Sequence, residues 1–119
     1  NLMANKKPAV LAIEDPSQLE QYLSPDFNKI VVMNAFDTVW GPVTVIDGLI
    51  KTYTDEPEIQ NKVVFISCDK NFCSDLFGKY VFTSKPTYFI IHRGTVVDQI
   101  IGLIYPEIIS KLEKSYGLL

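Results

Sequence analysis

Residues 29–50 read KIVVMNAFDTVWGPVTVIDGLI. The opening KIVVMNAF is an almost unbroken apolar run, the pattern of a strand buried on both faces. Pro42 suits the first turn of a helix, where its missing N–H is not needed. Ile46, Leu49, Ile50 and Tyr53 then recur at helical spacing. A strand therefore passes into a helix through Val39-Trp40-Gly41-Pro42-Val43. In some proteins a strand-to-helix corner of this kind, built on Gly-Pro, holds a reactive Cys pair. Here the flanking residues are Trp and Val.

The rest of the chain extends the pattern on both sides. AVLAI (residues 9–13) reads as a short strand, and Glu14-Asp15-Pro16-Ser17 as a stop followed by a helix start. Leu19, Tyr22 and Leu23 give that helix one apolar face, and Ser24-Pro25-Asp26 ends it. TDEPEIQNK (residues 54–62) reads as a polar loop. VVFIS (residues 63–67) is a third buried strand. Phe72, Leu76 and Tyr80 predict a helix with Asp69 near its N-terminus. TYFIIHRGTVVDQIIG (residues 87–102) reads as two strands joined by a tight turn at His92-Arg93-Gly94, too close together for a crossover and so antiparallel. Pro106 opens a last helix carrying Ile108, Ile109, Leu112 and Tyr116 on one face, and Gly117 is placed to end it. The predicted order is β-α-β-α-β-α-β-β-α. The expected class is α/β, a three-layer α/β/α fold with a mixed five-stranded sheet and four helices.

The bulk properties agree with one domain over residues 1–119, of which 1–8 form a flexible N-terminal segment. Of the 119 residues, 47% are hydrophobic and 21% charged, enough to bury a real core. With 11 basic and 14 acidic residues the net charge is −3, and the basic residues are scattered. Nucleic acid is therefore not an expected partner. No apolar run approaches the ~20 residues of a membrane span, and no signal peptide is visible. The chain begins with Asn rather than Met, as a piece of a longer protein would. Two cysteines do not make a disulfide framework, and a reducing, cytoplasmic setting is the default expectation.

The element order, with Gly41-Pro42 at the second strand-to-helix corner, Lys85-Pro86-Thr87 just before the hairpin and Gly102 after the last strand, resembles thioredoxin over nearly the whole chain. Thioredoxins carry Trp-Cys-Gly-Pro-Cys at this corner, so both Cys positions are changed, to Trp40 and Val43. The family's buried Asp, six residues before the first Cys, corresponds to Asn34. A Lys common on the third strand corresponds to Phe65. The family's cis proline corresponds to Pro86, which is expected to be cis. Thiol–disulfide exchange needs a thiolate, and neither an indole nor an isopropyl group supplies one. Asn34 resembles Asp in shape but does not titrate. The resemblance with these departures implies a corner that keeps its shape and has lost its dithiol. The expectation is a redox-inactive protein that is not an enzyme.

In the family, the face around the corner binds extended peptide. The equivalent partner-binding residues here are Val39, Trp40, Gly41, Pro42, Ser84, Lys85, Pro86, Gly102 and Leu103. Two readings of Trp40 stand side by side: an exposed interface anchor, or a ring folded back over the helix end.

Cys68 and Cys73 are the redox candidates. The spacing C-x4-C fits no common zinc or redox motif, and with one His in the chain no metal site is expected. Cys68 reads as buried packing. Cys73, near a helix N-terminus, is the better candidate for a thiol of lowered pKa; a bridge between the two is the alternative. His92 reads as a turn residue and Asp55-Glu56-Pro57-Glu58 as solvated surface. No Gly-rich phosphate loop is present, and no cofactor is expected.

Residues 76–114 also resemble the thioredoxin-like light chains of ciliary outer-arm dynein and related domains fused to nucleoside diphosphate kinase, through Ser84-Lys85-Pro86-Thr87-Tyr88-Phe89. That branch usually keeps the active site that this chain lacks. The resemblance implies a protein-binding subunit, a light chain in a cilium or axoneme, with a dynein heavy chain or a neighbouring component as partner. A non-catalytic domain of a disulfide isomerase or chaperone is another version. The alternative is a thiol redox enzyme or sensor acting through Cys73, with or without Cys68.

Overall fold

The computed structural model describes residues 9–37, 39, 41, 44–72, 87–102 and 105–116. The expected flexibility of residues 1–8, the helix face at Leu76 and Tyr80, and the stop at Gly117 lie outside them.

Five strands form one mixed sheet in the order β1-β3-β2-β4-β5. They are β1 (Val10–Ala12), β2 (Ile30–Phe36), β3 (Val63–Asp69), β4 (Thr87–His92) and β5 (Thr95–Ile101). β1 and β2 both run parallel to β3, while β4 is antiparallel to β2 and β5 to β4. This is the mixed arrangement that the spacing of the apolar runs predicts. β2 is central and buried on both faces, as an unbroken apolar run requires.

Period-two alternation sorts the strand residues into two core layers. On one face Val32, Phe65, Tyr88 and Ile90 pack against Ile46 and Ile50 of α2 (Asp47–Thr54), Ile59 of α3 (Pro57–Gln60), and Ile108 and Leu112 of α4 (Tyr105–Tyr116). On the other face Met33, Ile66, Cys68 and Phe89 pack with Leu19 of α1 (Pro16–Tyr22). The result is the expected three-layer α/β/α arrangement.

α1 starts where the sequence signals it. Asp15 caps the helix, accepting from the backbone N–H of Ser17 (2.9 Å) and Gln18 (3.3 Å), while Gln18 Oε1 accepts from Asp15 N (3.4 Å), a capping box. The hairpin turn is also as read: Arg93 (φ +51°) and Gly94 (φ +81°) both take the left-handed conformation that a tight two-residue turn needs.

Three local expectations are corrected. The polar stretch 54–62 contains α3, one turn opened by Pro57 and anchored by buried Ile59. Among the described residues there are thus five helical segments rather than four, counting the turn at residues 70–72. The helix expected from Pro42 begins at Asp47, because Thr44 is irregular and Val45 and Ile46 form a turn. Leu49, placed on the apolar face by spacing, is 51% exposed: Ile46 and Ile50 carry the contact, and Leu49 points off that line.

Candidate functional site

The register brings four loops to one end of the sheet. Ala35 of β2 stands opposite Thr87 of β4, and Thr87 opposite Ile101 of β5. Phe36 stands opposite Asp69 of β3. The corner after β2, the turn after β3, the segment before Thr87 and Gly102 after β5 therefore leave the sheet side by side. In an α/β sheet with parallel strands, the carboxyl end of those strands is where sites form.

Asp37 organises the corner. Its Oδ1 accepts from Val39 N (3.0 Å), and its carbonyl accepts from Gly41 N (2.8 Å). Its Oδ2 lies 2.8 Å from Lys70 Nζ, an ion pair that ties the corner to the turn after β3. Lys70 and the Val39 N–H hold the Asp37 carboxyl below the usual carboxylate range. Gly41 has φ +73°, a conformation open to Gly at no steric cost. Val39 is 81% exposed, a large apolar side chain presented to solvent. Gly102, with φ +106°, is half-buried.

Of the expected partner-binding residues, Val39, Gly41 and Gly102 are thus placed at one end of the sheet. Trp40, Pro42, Ser84, Lys85, Pro86 and Leu103 lie outside the described residues, as do Val43 and Cys73. The expected cis bond at Pro86 and both readings of Trp40 lie there too.

Cys68 is 0% exposed, inside β3 beside Ala35 in the β2–β3 register, with its Sγ donating to the Asp69 carbonyl (3.4 Å). That is the packed thiol the sequence predicts. Asp69, at the end of β3, accepts from Asn71 N (2.9 Å) and so starts the helical turn at residues 70–72. Cys73 follows that turn in the sequence. His92 is exposed at the hairpin. Asp55, Glu56, Pro57 and Glu58 are exposed as well, with Asp55 paired to Lys51. No group of His, Cys, Asp or Glu among the described residues could hold a metal ion. No described helix is long and apolar enough to cross a membrane.

Asn34 is 3% exposed, between Ser67 and Tyr88 across the strands, and among the described residues neither its amide nitrogen nor its oxygen finds a partner. Phe65 is buried on the same face, in the core layer to which α2 and α4 contribute. Sequence reasoning found these two positions but missed a further polar group in the same layer, Asp47. One of its carboxyl oxygens is buried without a partner among the described residues, while the residue as a whole is half-buried; burial raises its pKa. Burial first, and the Asp47 charge second, push the Tyr88 phenol up to about 12. The available signal was position: Asp47 lies between Ile46 and Ile50, on the border of the apolar stripe.

Comparison with known proteins places this geometry. No family model matches the chain. Thioredoxin from Chlorobaculum thiosulfatiphilum is 29% identical over 86 residues, covering 72% of this chain and 78% of that protein. Thioredoxin H2 from Arabidopsis thaliana is 30% identical over 88 residues, covering 73% of this chain and 63% of that protein. Among solved structures, a thioredoxin h of Nicotiana alata superposes with TM-score 0.69 at 21% identity, covering 92% of this chain and 96% of that one. These relatives correct one expectation. Trp40 and Val43 predict a protein that is not an enzyme, but the sequence relatives are named thioredoxins, which points to an enzyme-like thioredoxin instead. A missing dithiol at the corner is not the same as missing thiol chemistry, since Cys68 and Cys73 remain in the chain. The chain has the thioredoxin fold, and its sequence relatives support its place in the thioredoxin family.

Proposed function

We propose that the protein is a thiol-dependent redox member of the thioredoxin family whose working thiol is Cys73. The observation that carries this is the burial of Cys68. With no Cys at positions 40 and 43, and Cys68 sealed inside the sheet, Cys73 is the one remaining sulfhydryl in the sequence. It follows, in the chain, a turn that leaves the sheet at the same end as the corner. In this reading the Cys73 thiolate attacks one sulfur of a substrate disulfide. A mixed disulfide forms and the other substrate sulfur leaves as a thiolate. A second thiol, from a small dithiol reductant or from Cys68 after local opening, then resolves the mixed disulfide and is itself oxidised.

Insulin reduction in the presence of a dithiol tests this. Turnover above the protein-free rate, abolished by Cys73→Ser, is expected. Turnover equal to the protein-free rate, or unchanged in Cys73→Ser, overturns it.

A second reading concerns the same end of the molecule. Val39 stands exposed beside Gly41, and Val45 and Leu49 are exposed along the start of α2 at 75% and 51%. An apolar surface of this kind suits a protein partner. A dynein heavy chain or another ciliary component is the specific version that the dynein light-chain resemblance supports, in the cytoplasm or the axoneme. Capture of such a partner by wild type and its loss in Val39→Asp, with Cys73 intact, would distinguish docking from mixed-disulfide trapping.

A further inference from the structure

The polar groups beneath α2 form a second location with unassigned chemistry. Strand alternation puts Asn34 on the face of Ile30 and Val32, which pack with Ile46 and Ile50 of α2. Tyr88 is its neighbour across the β2–β4 register. Asp47, the first residue of α2, sits between Ile46 and Ile50 and turns one carboxyl oxygen inward. Asp47 and Tyr88 are close enough for the carboxylate charge to act on the phenol. Asn34 Nδ2, Asn34 Oδ1 and Asp47 Oδ1 are buried and make no hydrogen bond among the described residues; the Tyr53 hydroxyl, further along α2, is a fourth such atom. Buried polar atoms in native proteins are almost always partnered, by protein or by ordered water. Of the first three, one atom must donate and two must accept.

We propose that Asn34, Asp47 and Tyr88 enclose an internal hydration site, in which bound water links the Asn34 amide to the buried Asp47 carboxyl oxygen beneath the first turn of α2. Water fits these orphaned atoms because it both donates and accepts, and a buried water typically makes about three hydrogen bonds. It accepts from Asn34 Nδ2 and donates to Asp47 Oδ1. The second proton is left for Asn34 Oδ1 or the Tyr88 oxygen. An amide suits this place better than a second carboxylate, since only the amide donates. The site ties the start of α2 to the central strand just behind the corner. It is independent of the thiol reading, because Cys68 packs on the opposite face of the sheet.

The test is water-selective nuclear Overhauser and rotating-frame spectroscopy on the nitrogen-15-labelled protein, observed at the Asn34 side-chain NH2. A cross-peak to water with the sign of a long-lived contact is expected, and it is expected to vanish in Asp47→Leu. No water contact in wild type overturns the proposal, because Asn34 and Asp47 then bond directly or stay unpaired. A contact that persists in Asp47→Leu overturns it as well, because Asp47 then does not hold the water. The wild-type spectrum decides the first point even if the variant does not fold.

Discussion

Gly94 and Gly48 should respond in opposite directions to the same substitution. Gly94 sits in the β4–β5 turn with φ +81°, and a Cβ added there would lie 2.5 Å from the Leu23 carbonyl oxygen and 3.3 Å from Pro25 N. Both are backbone atoms at the end of α1, so no side chain can swing aside. The left-handed conformation costs a non-glycine residue about 1–2 kcal/mol. Forcing the hairpin off the α1 terminus adds a cost like that of overpacking, about 1–3 kcal/mol. Gly94→Ala should therefore lose roughly 2–5 kcal/mol. Gly48 lies in α2 without a positive φ, and a methyl group added there would meet nothing within 4 Å. Gly48→Ala should gain about 0.4–1 kcal/mol by lowering unfolded-state entropy. Urea denaturation reads both. With a slope of about 2 kcal/mol per M, the midpoint should fall by roughly 1–2.5 M for Gly94→Ala and rise by a few tenths of a molar for Gly48→Ala. A Gly94→Ala loss below about 1 kcal/mol would refute the reasoning, since it would mean that the turn relaxes away from Leu23 without cost.

Other predictions rest on single sites. After reduction, Cys68 should react with a thiol reagent only as fast as the protein opens, while Cys73 sets any fast phase; a fast phase that survives Cys73→Ser would contradict the packing of Cys68 inside the sheet. Phe89→Ala removes a fully buried ring from the face shared with Met33 and Leu19, and should cost about 3–5 kcal/mol by urea denaturation. Asp47 gives a pH signature. Burial raises its folded pKa above the ordinary 3.8, so the folded state holds the proton more tightly than the unfolded state. Its contribution is present at low pH and is lost as pH rises from about 3.8 through the folded pKa. Asp47→Asn should therefore gain on wild type as pH rises across that window, in urea titrations at successive pH values; a difference that shrinks with pH would reverse the assignment. Tyr88 lies within electrostatic reach of Asp47, and Lys51, one turn along α2, is paired with Asp55.

The elements most legible in the sequence were those whose local signals and burial agree. β2 and β3 are apolar runs because both faces are covered, and the hairpin was given away by Arg93-Gly94 between two β-rich runs. The start of α1 was equally visible in Glu14-Asp15-Pro16-Ser17, and the structure adds the Asp15–Gln18 capping box. The start of α2 was not. Pro42 tolerates a first turn but does not require one, and the helix waits until Asp47. α3 was hidden because one helical turn among polar residues carries a single buried apolar side chain, Ile59, too little for periodicity to register. Within the site, the loops are legible one by one but their meeting is not. That depends on Thr87 standing between Ala35 and Ile101, a register that no local pattern encodes. Asp47 was missed for a related reason: a charged residue beside an apolar stripe normally reads as solvated, and only the packing of α2 on β2 and β4 turns one of its oxygens inward.

The parity of β2 and β3 separates the two chemistries of this molecule. Asn34 and Phe65 face α2, while Cys68 and Met33 face α1, so the central strands divide the polar cluster from the buried thiol. Asp47 therefore cannot take a proton from Cys68 without crossing the sheet. The Cys68 thiol donates to the Asp69 carbonyl. Sealed inside the sheet, Cys68 suits a resolving or structural sulfur and not an attacking one. The corner is linked to the turn at residues 70–72 by another route, the Asp37–Lys70 pair at the sheet's carboxyl end. If Cys73, which follows that turn in the sequence, is the attacking sulfur, the pair joins the corner to the residues just before it. Asp37→Asn should then alter the reactivity of Cys73 while leaving the water contact at Asn34 unchanged, and an effect on Asn34 alone would place the coupling through α2 instead.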